Sequence, residues 1–555
     1  MGNTISYNVA EHQLDLGDGK GSITGLQYDS KARRYAGVPY ALPPLGDLRW
    51  RKPQPLPADH TYTSHDGKPF DATKFGPVCP QAAYMSAKKN ATPEEAFGED
   101  CLRLNIWTPV ESTKGKKWPV MLWLHGGWFQ IGDPSHEPGM DPTELISTGK
   151  LSAIVVAIGY RLNLFGFLAG DALQAENDNI EAGNYGLWDQ RLAIDWVREN
   201  IARFGGDVNN ITLAGRSAGA YAVHAQALYE FQNPAFQATS PSFHRVVMLS
   251  NAIPAQPKTP AECQDQFDEL CQFFNISTDS SGAEKLSTLR KIGSKKLVDA
   301  IMKLKHHTFR PVTDSSFIQP GMMDYHRSGA FAQEFKRRNF KILIGEMLNE
   351  ETLYAATNGP EANFESLRLQ VSNYYAPATT SRVLQHYKLP ATEEKSDWTS
   401  LYGHIIADGQ VRAPSRFLAN SLFSNDVGVE DIWRYRISYR LSFITDAVAP
   451  RTFGVAHAMD KPFWNFSIMH GPTDQELVLM KDWIRDLVAF VGAEGDYRYG
   501  TKEIDDFKVA TPEGNIEIQK DKRWQELLNL ADIFSGNCSC NFGTTKKFPI
   551  MHSAI

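Results

Sequence analysis

The sequence predicts an α/β protein, a mostly parallel central sheet flanked by helices. Two observations carry that expectation. Short β-branched and aliphatic runs recur at Pro119 to Leu124, Ala153 to Ile158, Ile211 to Ala214, Val246 to Ser250 and Lys341 to Gly345, with helical patterns between them. Strands covered by helices on both faces need no polar alternation, so they read as continuous apolar runs. The second observation is the order helix, strand, sharp turn, helix from Trp188 to Glu230. Ile194, Val197, Ile201 and Phe204 recur at the interval that lines one helical face, and Gly205-Gly206 stop the helix. Asp207-Val208-Asn209-Asn210 supplies a turn, Ile211 to Ala214 a buried strand, and helical spacing resumes from Ala218 through Val223 and Ala227.

At 555 residues the chain exceeds the size at which one hydrophobic core stops growing, so either two domains or one large unit with long insertions is expected. No repeat, low-complexity tract or long linker interrupts it, which favours one continuous unit over residues 1–555. Hydrophobic residues make up 42% and aromatics 11%, enough to fill a core and to exclude disorder as an overall description. The net charge of -7 comes from 57 basic and 64 acidic residues spread along the chain, so the basic patch that nucleic acid requires is missing. The apolar runs fall far short of the roughly 20 residues that cross a bilayer. The start, Met-Gly-Asn-Thr-Ile-Ser-Tyr, lacks the basic and apolar regions of a secretory signal, and a cytoplasmic location is expected. It does fit the pattern for myristate on Gly2, with Ser6 in the required place, which would add a weak membrane association. In that compartment Cys79, Cys101, Cys263, Cys271, Cys538 and Cys540 are expected as thiols. Cys538 and Cys540 have no neighbouring Cys/His cluster to complete a zinc site.

Chemistry is signalled by Gly215-Arg216-Ser217-Ala218-Gly219, the G-x-S-x-G elbow of serine hydrolases, at the predicted strand-to-helix junction. The glycines permit a turn tight enough to strain the serine backbone and expose its oxygen above the sheet. The next helix aims free N–H groups and its positive end at the same place. His125-Gly126-Gly127-Trp128, directly after the strand Val120 to Leu124, reads as a loop that supplies oxyanion donors. The N–H groups of Gly127 and Trp128, with that of Ala218, are candidates to meet a developing oxyanion. Losing one such donor typically costs about 3 kcal/mol of barrier. A serine hydroxyl also needs a histidine base oriented by a carboxylate, and in this class both come after the nucleophile in the chain. Composition leaves His306, His307, His404, His457 and His470 open.

Further motifs narrow the choice. Ala36-Gly37-Val38-Pro39-Tyr40-Ala41 with Pro43-Pro44, Gly46 and Arg49-Trp50 forms one, and Glu99-Asp100-Cys101-Leu102-Arg103-Leu104-Asn105 another. Tyr160-Arg161-Leu162-Asn163 with Phe165-Gly166-Phe167-Leu168, and Asn184-Tyr185-Gly186-Leu187-Trp188-Asp189-Gln190, add two more. With the elbow and the oxyanion loop, these make the chain resemble the type-B carboxylesterase/lipase family, which also contains the cholinesterases, over nearly its whole length. In style it is most similar to the family's intracellular fungal members.

The resemblance implies an α/β-hydrolase fold with large insertions over the active site. It also implies a serine carboxylic ester hydrolase working through an acyl-enzyme on small-molecule esters, with no metal or organic cofactor. Gly345-Glu346-Met347-Leu348-Asn349-Glu350-Glu351 is similar to the family's acid loop, with Glu350 as the triad carboxylate and Glu351 where glycine is usual. Gly454-Val455-Ala456-His457-Ala458-Met459-Asp460 resembles its histidine loop, which makes His457 the general base and acid. Ser250 aligns with a serine that supports the triad from behind. Arg216 stands where an acidic residue often precedes the nucleophile, which argues against a cholinesterase. Trp128 replaces a small residue, which would narrow or shield the acyl pocket. Cys79 with Cys101, and Cys263 with Cys271, fall where exported relatives form bridges, so the resemblance implies disulfides where the missing signal implies thiols. Two other functions would use the same sequence: an acyltransferase or lactone-forming enzyme with the same triad, and a catalytically silent binding protein.

Overall fold

The computed structural model describes residues 6–537 except 65, 84–92, 111–114, 116, 136–139, 177–181 and 237–238. Gly2, Cys538 and Cys540 lie outside the described residues. The chain forms a 13-stranded sheet. Its strands are β1 Val9–Asp15, β2 Ser22–Tyr28, β3 Ala32–Pro39, β4 Phe70–Asp71, β5 Arg103–Pro109, β6 Trp118–Leu124 and β7 Ile154–Ile158. They continue as β8 Gly206–Arg216, β9 Arg245–Leu249, β10 Lys341–Met347, β11 Ile432–Ile437, β12 Asp506–Ala510 and β13 Ile516–Lys520. The order is β1-β2-β3-β5-β7-β6-β8-β9-β10-β11-β12-β13, with β4 beside β2. From β7 to β12 every neighbouring pair is parallel, and antiparallel strands flank both ends.

The apolar runs of the sequence are these central strands, and their side chains divide between two cores. Leu122, Leu124, Leu213, Val246 and Ile344 enter one apolar cluster, while Met121, Trp123, Ala214, Val247 and Leu343 enter the other. Alternate residues thus face opposite layers, each layer covered by helices, which is why the runs do not alternate apolar with polar residues. Fully burying one such aliphatic side chain contributes roughly 1.5–3 kcal/mol.

One expectation changes. Asp207-Val208-Asn209-Asn210, expected as a turn before the strand, lies inside β8. The pairing with β6 jumps from Trp118↔Gly206 to Val120↔Ile211, so these four residues bulge out of the ladder. Asp207 Oδ1 accepts the Asn209 N–H at 3.0 Å. The turn chemistry is present, spent on a bulge in a longer strand.

The register places the site. Leu124 pairs with Gly215, Arg216 with Leu249, and Leu249 with Gly345. The carboxyl ends of β6, β8, β9 and β10 therefore lie side by side at one edge, and the segment after each strand starts there. The long stretches between β9 and β10 and between β10 and β11 carry helices such as Gln264–Phe273, Gly282–Arg290, Phe364–Ser372 and Lys395–Ala407. Among the described residues no helix is long and apolar enough to cross a membrane.

Candidate active site

Ser217 joins β8 to the helix Ala218–Gln232 with φ 55° and ψ -124°. Such backbone positions cost on the order of 1–3 kcal/mol and persist only where packing holds them. Here the Ser217 N–H donates to Leu249 O at 2.7 Å, and Ser217 O accepts the Tyr221 N–H at 3.0 Å, so one residue ends a strand and starts a helix. The glycines are required by close approach. A Cβ on Gly219 would lie 2.0 Å from Leu124 O, and one on Gly126 would lie 2.7 Å from Arg216 O and 3.1 Å from Ser217 Cβ.

The loop after β6 wraps the serine. Gly127, Trp128 and Phe129 have φ of 114°, 58° and 66°, three successive residues with positive φ. Gly127 O accepts from Gln130 and Ile131 N–H groups, and the Asn163 N–H holds Phe129 O at 2.7 Å. Gln130, which no motif singled out, clamps the loop through Trp128 O and both backbone groups of Phe309. Among the described residues the N–H groups of Gly127, Trp128 and Ala218 have no acceptor. Trp128 is half-buried against the larger core, and its Nε1 is buried without a partner among the described residues.

Glu350 opens the helix Glu350–Ala355 and is fully buried. Its Oε1 accepts the Met347 N–H at 2.7 Å, and its Oε2 accepts His457 Nδ1–H at 2.5 Å. A carboxylate can only accept, so Nδ1 carries the ring proton and Nε2 is left with its lone pair. That Nε2 is buried and has no hydrogen-bond partner among the described residues, Ser217 included. Glu351 faces elsewhere: it pairs with Arg412, whose guanidinium outweighs burial and holds the carboxyl below its usual range. The structure thus brings His457 to Glu350 and not to Glu351.

Two residues that lie in the acid and histidine loops without an expected role shape this corner. Asn349 laces the acid loop to the histidine loop: its N–H donates to Val455 O and its Oδ1 accepts the Val455 N–H, both at 3.0 Å. Gly454 is required beside it, since a Cβ there would meet Asn349 Oδ1 at 2.3 Å. Asp460 is fully buried with neither carboxylate oxygen hydrogen-bonded among the described residues. Burial pushes its carboxyl up to about 6, opposed by Arg216. An acid three residues beyond His457 was the available signal. Ser250, expected to support the triad, comes directly after β9 with φ 55° and donates its N–H to Gly345 O at 3.0 Å. Its Oγ is buried without a partner among the described residues, so no hydrogen bond links that hydroxyl to the other site residues.

The carboxylesterase family pattern matches residues 8–532. The chain belongs to the carboxylesterase family. It is 36% identical over 513 residues to an uncharacterized esterase/lipase of Schizosaccharomyces pombe, covering 91% of this chain and 93% of that one. It is also 36% identical over 525 residues to a carboxylic ester hydrolase of Gibberella moniliformis, covering 92% and 93%. An acetylcholinesterase of Bungarus fasciatus is 28% identical over 512 residues, 85% of this chain and 77% of its own. In fold it is similar to a solved PNB esterase, with a TM-score of 0.69 at 23% identity over 91% of this chain and 97% of that one.

Within this carboxylesterase, Arg216 points away from the serine, into the second core, with its guanidinium 5.9 Å from the Trp123 ring. Burial holds it below the usual guanidinium range, with Asp460 opposing. The replacement therefore changes the charge beneath the elbow. Cys79, Cys101, Cys263 and Cys271 are buried free thiols, so the bridges that the resemblance implies are not formed.

Proposed function

We propose that this carboxylesterase hydrolyses small-molecule carboxylic esters through Ser217, His457 and Glu350. The observation that supports this most is the hydrogen bond from His457 Nδ1 to Glu350, which leaves the buried Nε2 with its lone pair free to act as a base. Ser217 Oγ attacks the ester carbonyl and passes its proton to Nε2, and Glu350 stabilises the imidazolium without taking the proton. The carbonyl oxygen, now anionic, takes the free N–H groups of Gly127, Trp128 and Ala218. The positive end of the helix Ala218–Gln232 adds to the same stabilisation. Collapse breaks the C–O bond, and Nε2 returns its proton to the leaving alcohol. Water, deprotonated by the same nitrogen, then attacks the acyl-serine; collapse breaks the acyl–Oγ bond, Nε2 returns the proton to Ser217 Oγ, and the acid leaves. Catalytic hydrogen bonds are often loose before substrate binds, which accommodates an unpaired Nε2 in the free enzyme.

A fluorophosphonate probe tests the assignment. Wild-type protein is expected to be labelled at Ser217 and to lose ester hydrolysis in parallel, while Ser217→Ala resists labelling. Labelling of both proteins, or of neither, overturns it.

A further inference from the structure

A pocket that encloses about 490 Å³ of space, partly open to solvent, lies beside the elbow, walled by residues including Tyr221, Lys258, Arg310, Tyr374, Tyr375 and Gln410. It adjoins the site through several contacts. Tyr221 is one helical turn beyond Ser217, and its ring packs edge-on against Phe129, the residue after Trp128, at 5.5 Å. Across the site, Tyr354 lies 5.2 Å from the His457 ring and feels the charge of Arg310.

The lining carries two formal charges, both positive, and no carboxylate. The Arg310 guanidinium lies 5.8 Å from the Phe129 and Tyr221 rings and 4.9 Å from Tyr374. Arg310 donates to Gln410 Oε1 at 2.8 Å, and Gln410 Nε2 is tied to Tyr375 Oη at 3.0 Å, so the fork is held in place. The remaining guanidinium donors and Lys258 Nζ have no acceptor, and neither cation has an ion pair, among the described residues.

Matched guanidinium groups elsewhere in the fold set the contrast: Arg161 is paired with Asp189, and Arg416 with Glu346 and Asp521. Burial also pulls the Lys258 ammonium below its usual range, with Cys263 and Glu262 opposing and Arg310 adding to the fall. Two half-buried cations that share a pocket without a paired anion suit a ligand that brings the negative charge, and a guanidinium fork fits a carboxylate.

We propose that this cavity is a subsite for a carboxylate carried by the substrate itself, so that the preferred esters are anionic ones. The proposal rests on the hydrolase reading and names its substrate class. The carboxylate is held by Arg310 and Lys258 while the ester carbonyl sits at Ser217.

Matched ester pairs test it in two arms. On the acyl side, mono-4-nitrophenyl esters of the dicarboxylic acids from succinate to suberate are compared with 4-nitrophenyl esters of monocarboxylic acids of equal length. On the alcohol side, ω-carboxyalkyl butanoates are compared with alkyl butanoates. The expected result is a kcat/KM at least tenfold higher for the anionic member in one arm, falling as ionic strength rises. That ratio is expected to drop at least tenfold in Lys258→Gln and in Arg310→Gln. Because the ratio is taken within one protein, a loss of folded enzyme cancels out of it. Turnover of neutral esters with Ser217 labelled, but no anionic preference in either arm or a preference that both variants leave intact, overturns the subsite and leaves the hydrolase reading standing. No turnover of any ester together with no labelling of Ser217 overturns both.

Discussion

Ser217 and Ser250 end neighbouring parallel strands with the same φ of 55°, and each donates its N–H to the next strand along. The chain beyond each serine differs. Ser217 leads straight into a 15-residue helix, and Gly126 lets the oxyanion loop come within contact of its Cβ. After Ser250 the chain continues as an irregular segment, and the hydroxyl is sealed in the interior. On the proposed reading, a strained serine at a strand end is not enough to make a nucleophile; the helix N-terminus and the glycine approach are what set Ser217 apart. The two glutamates repeat the lesson: adjacent in sequence, Glu350 meets His457 while Glu351 meets Arg412.

The largest effect that separates the two serines is expected from Ser217→Ala, a fall in kcat of about 10⁵–10⁶-fold. Ser250→Ala is expected to lower kcat less than tenfold, since that hydroxyl bonds nothing among the described residues. Steady-state kinetics on one chromogenic ester measures both, and comparable losses would break the distinction. The glutamates come next. Glu350→Gln is expected to reduce kcat by about 10⁴-fold with little change in KM, because the amide no longer enforces the productive tautomer. Glu351→Gln is expected to leave kcat within a few-fold and to cost about 1–3 kcal/mol in urea unfolding, by weakening the hold on buried Arg412.

A third contrast sets His457 against His224, an imidazole with a carboxylate against one without. The His224 Nδ1 accepts the Ile253 N–H at 3.2 Å, so its Nε2 carries the proton and donates to His326 Nε2 at 3.1 Å. Burial pushes His224 down to about 3, and His326 is lowered too. Between the unfolded value near 6.5 and that depressed value the unfolded chain binds more protons, so stability is complete above about pH 6.5 and is lost as pH falls. His224 alone accounts for roughly 3 kcal/mol between pH 6.5 and pH 4. Urea melts across that range are expected to show a shallower acid loss in His224→Gln, and an unchanged slope would mean that the pair does not govern it. Gly126→Ala is expected to act on fold and chemistry together. It costs about 1–3 kcal/mol of overpacking, measured by thermal unfolding, but lowers kcat more than that loss of folded protein explains, because the added methyl presses on Ser217.

Much of the architecture was legible because its signals are local. The apolar runs that became β6 to β10 are visible within a few residues of their ends, since burial on both faces leaves a continuous pattern. The bulge at Asp207 to Asn210 was not, because the same Asx chemistry serves a turn or a bulge and only the partner strand decides which. Glu350 and His457 were placed by resemblance, not by composition. Gln130 was missed, and Asn349 and Asp460 stood in the quoted loops without a role, because what an amide clamp or a buried carboxylate holds is decided by its neighbours in space.

Periodicity and glycine spacing needed no tertiary knowledge to mark the sheet, the elbow at Ser217 and the oxyanion loop, since each depends on residues adjacent along the chain. Folding alone decided which glutamate faces His457 across 107 residues, and that Lys258 and Arg310 line one cavity without a counter-charge in its walls. Both outcomes turn on direction and distance in space. A side chain's neighbours across long loops are set by how the layers pack, and the order of letters does not carry that information.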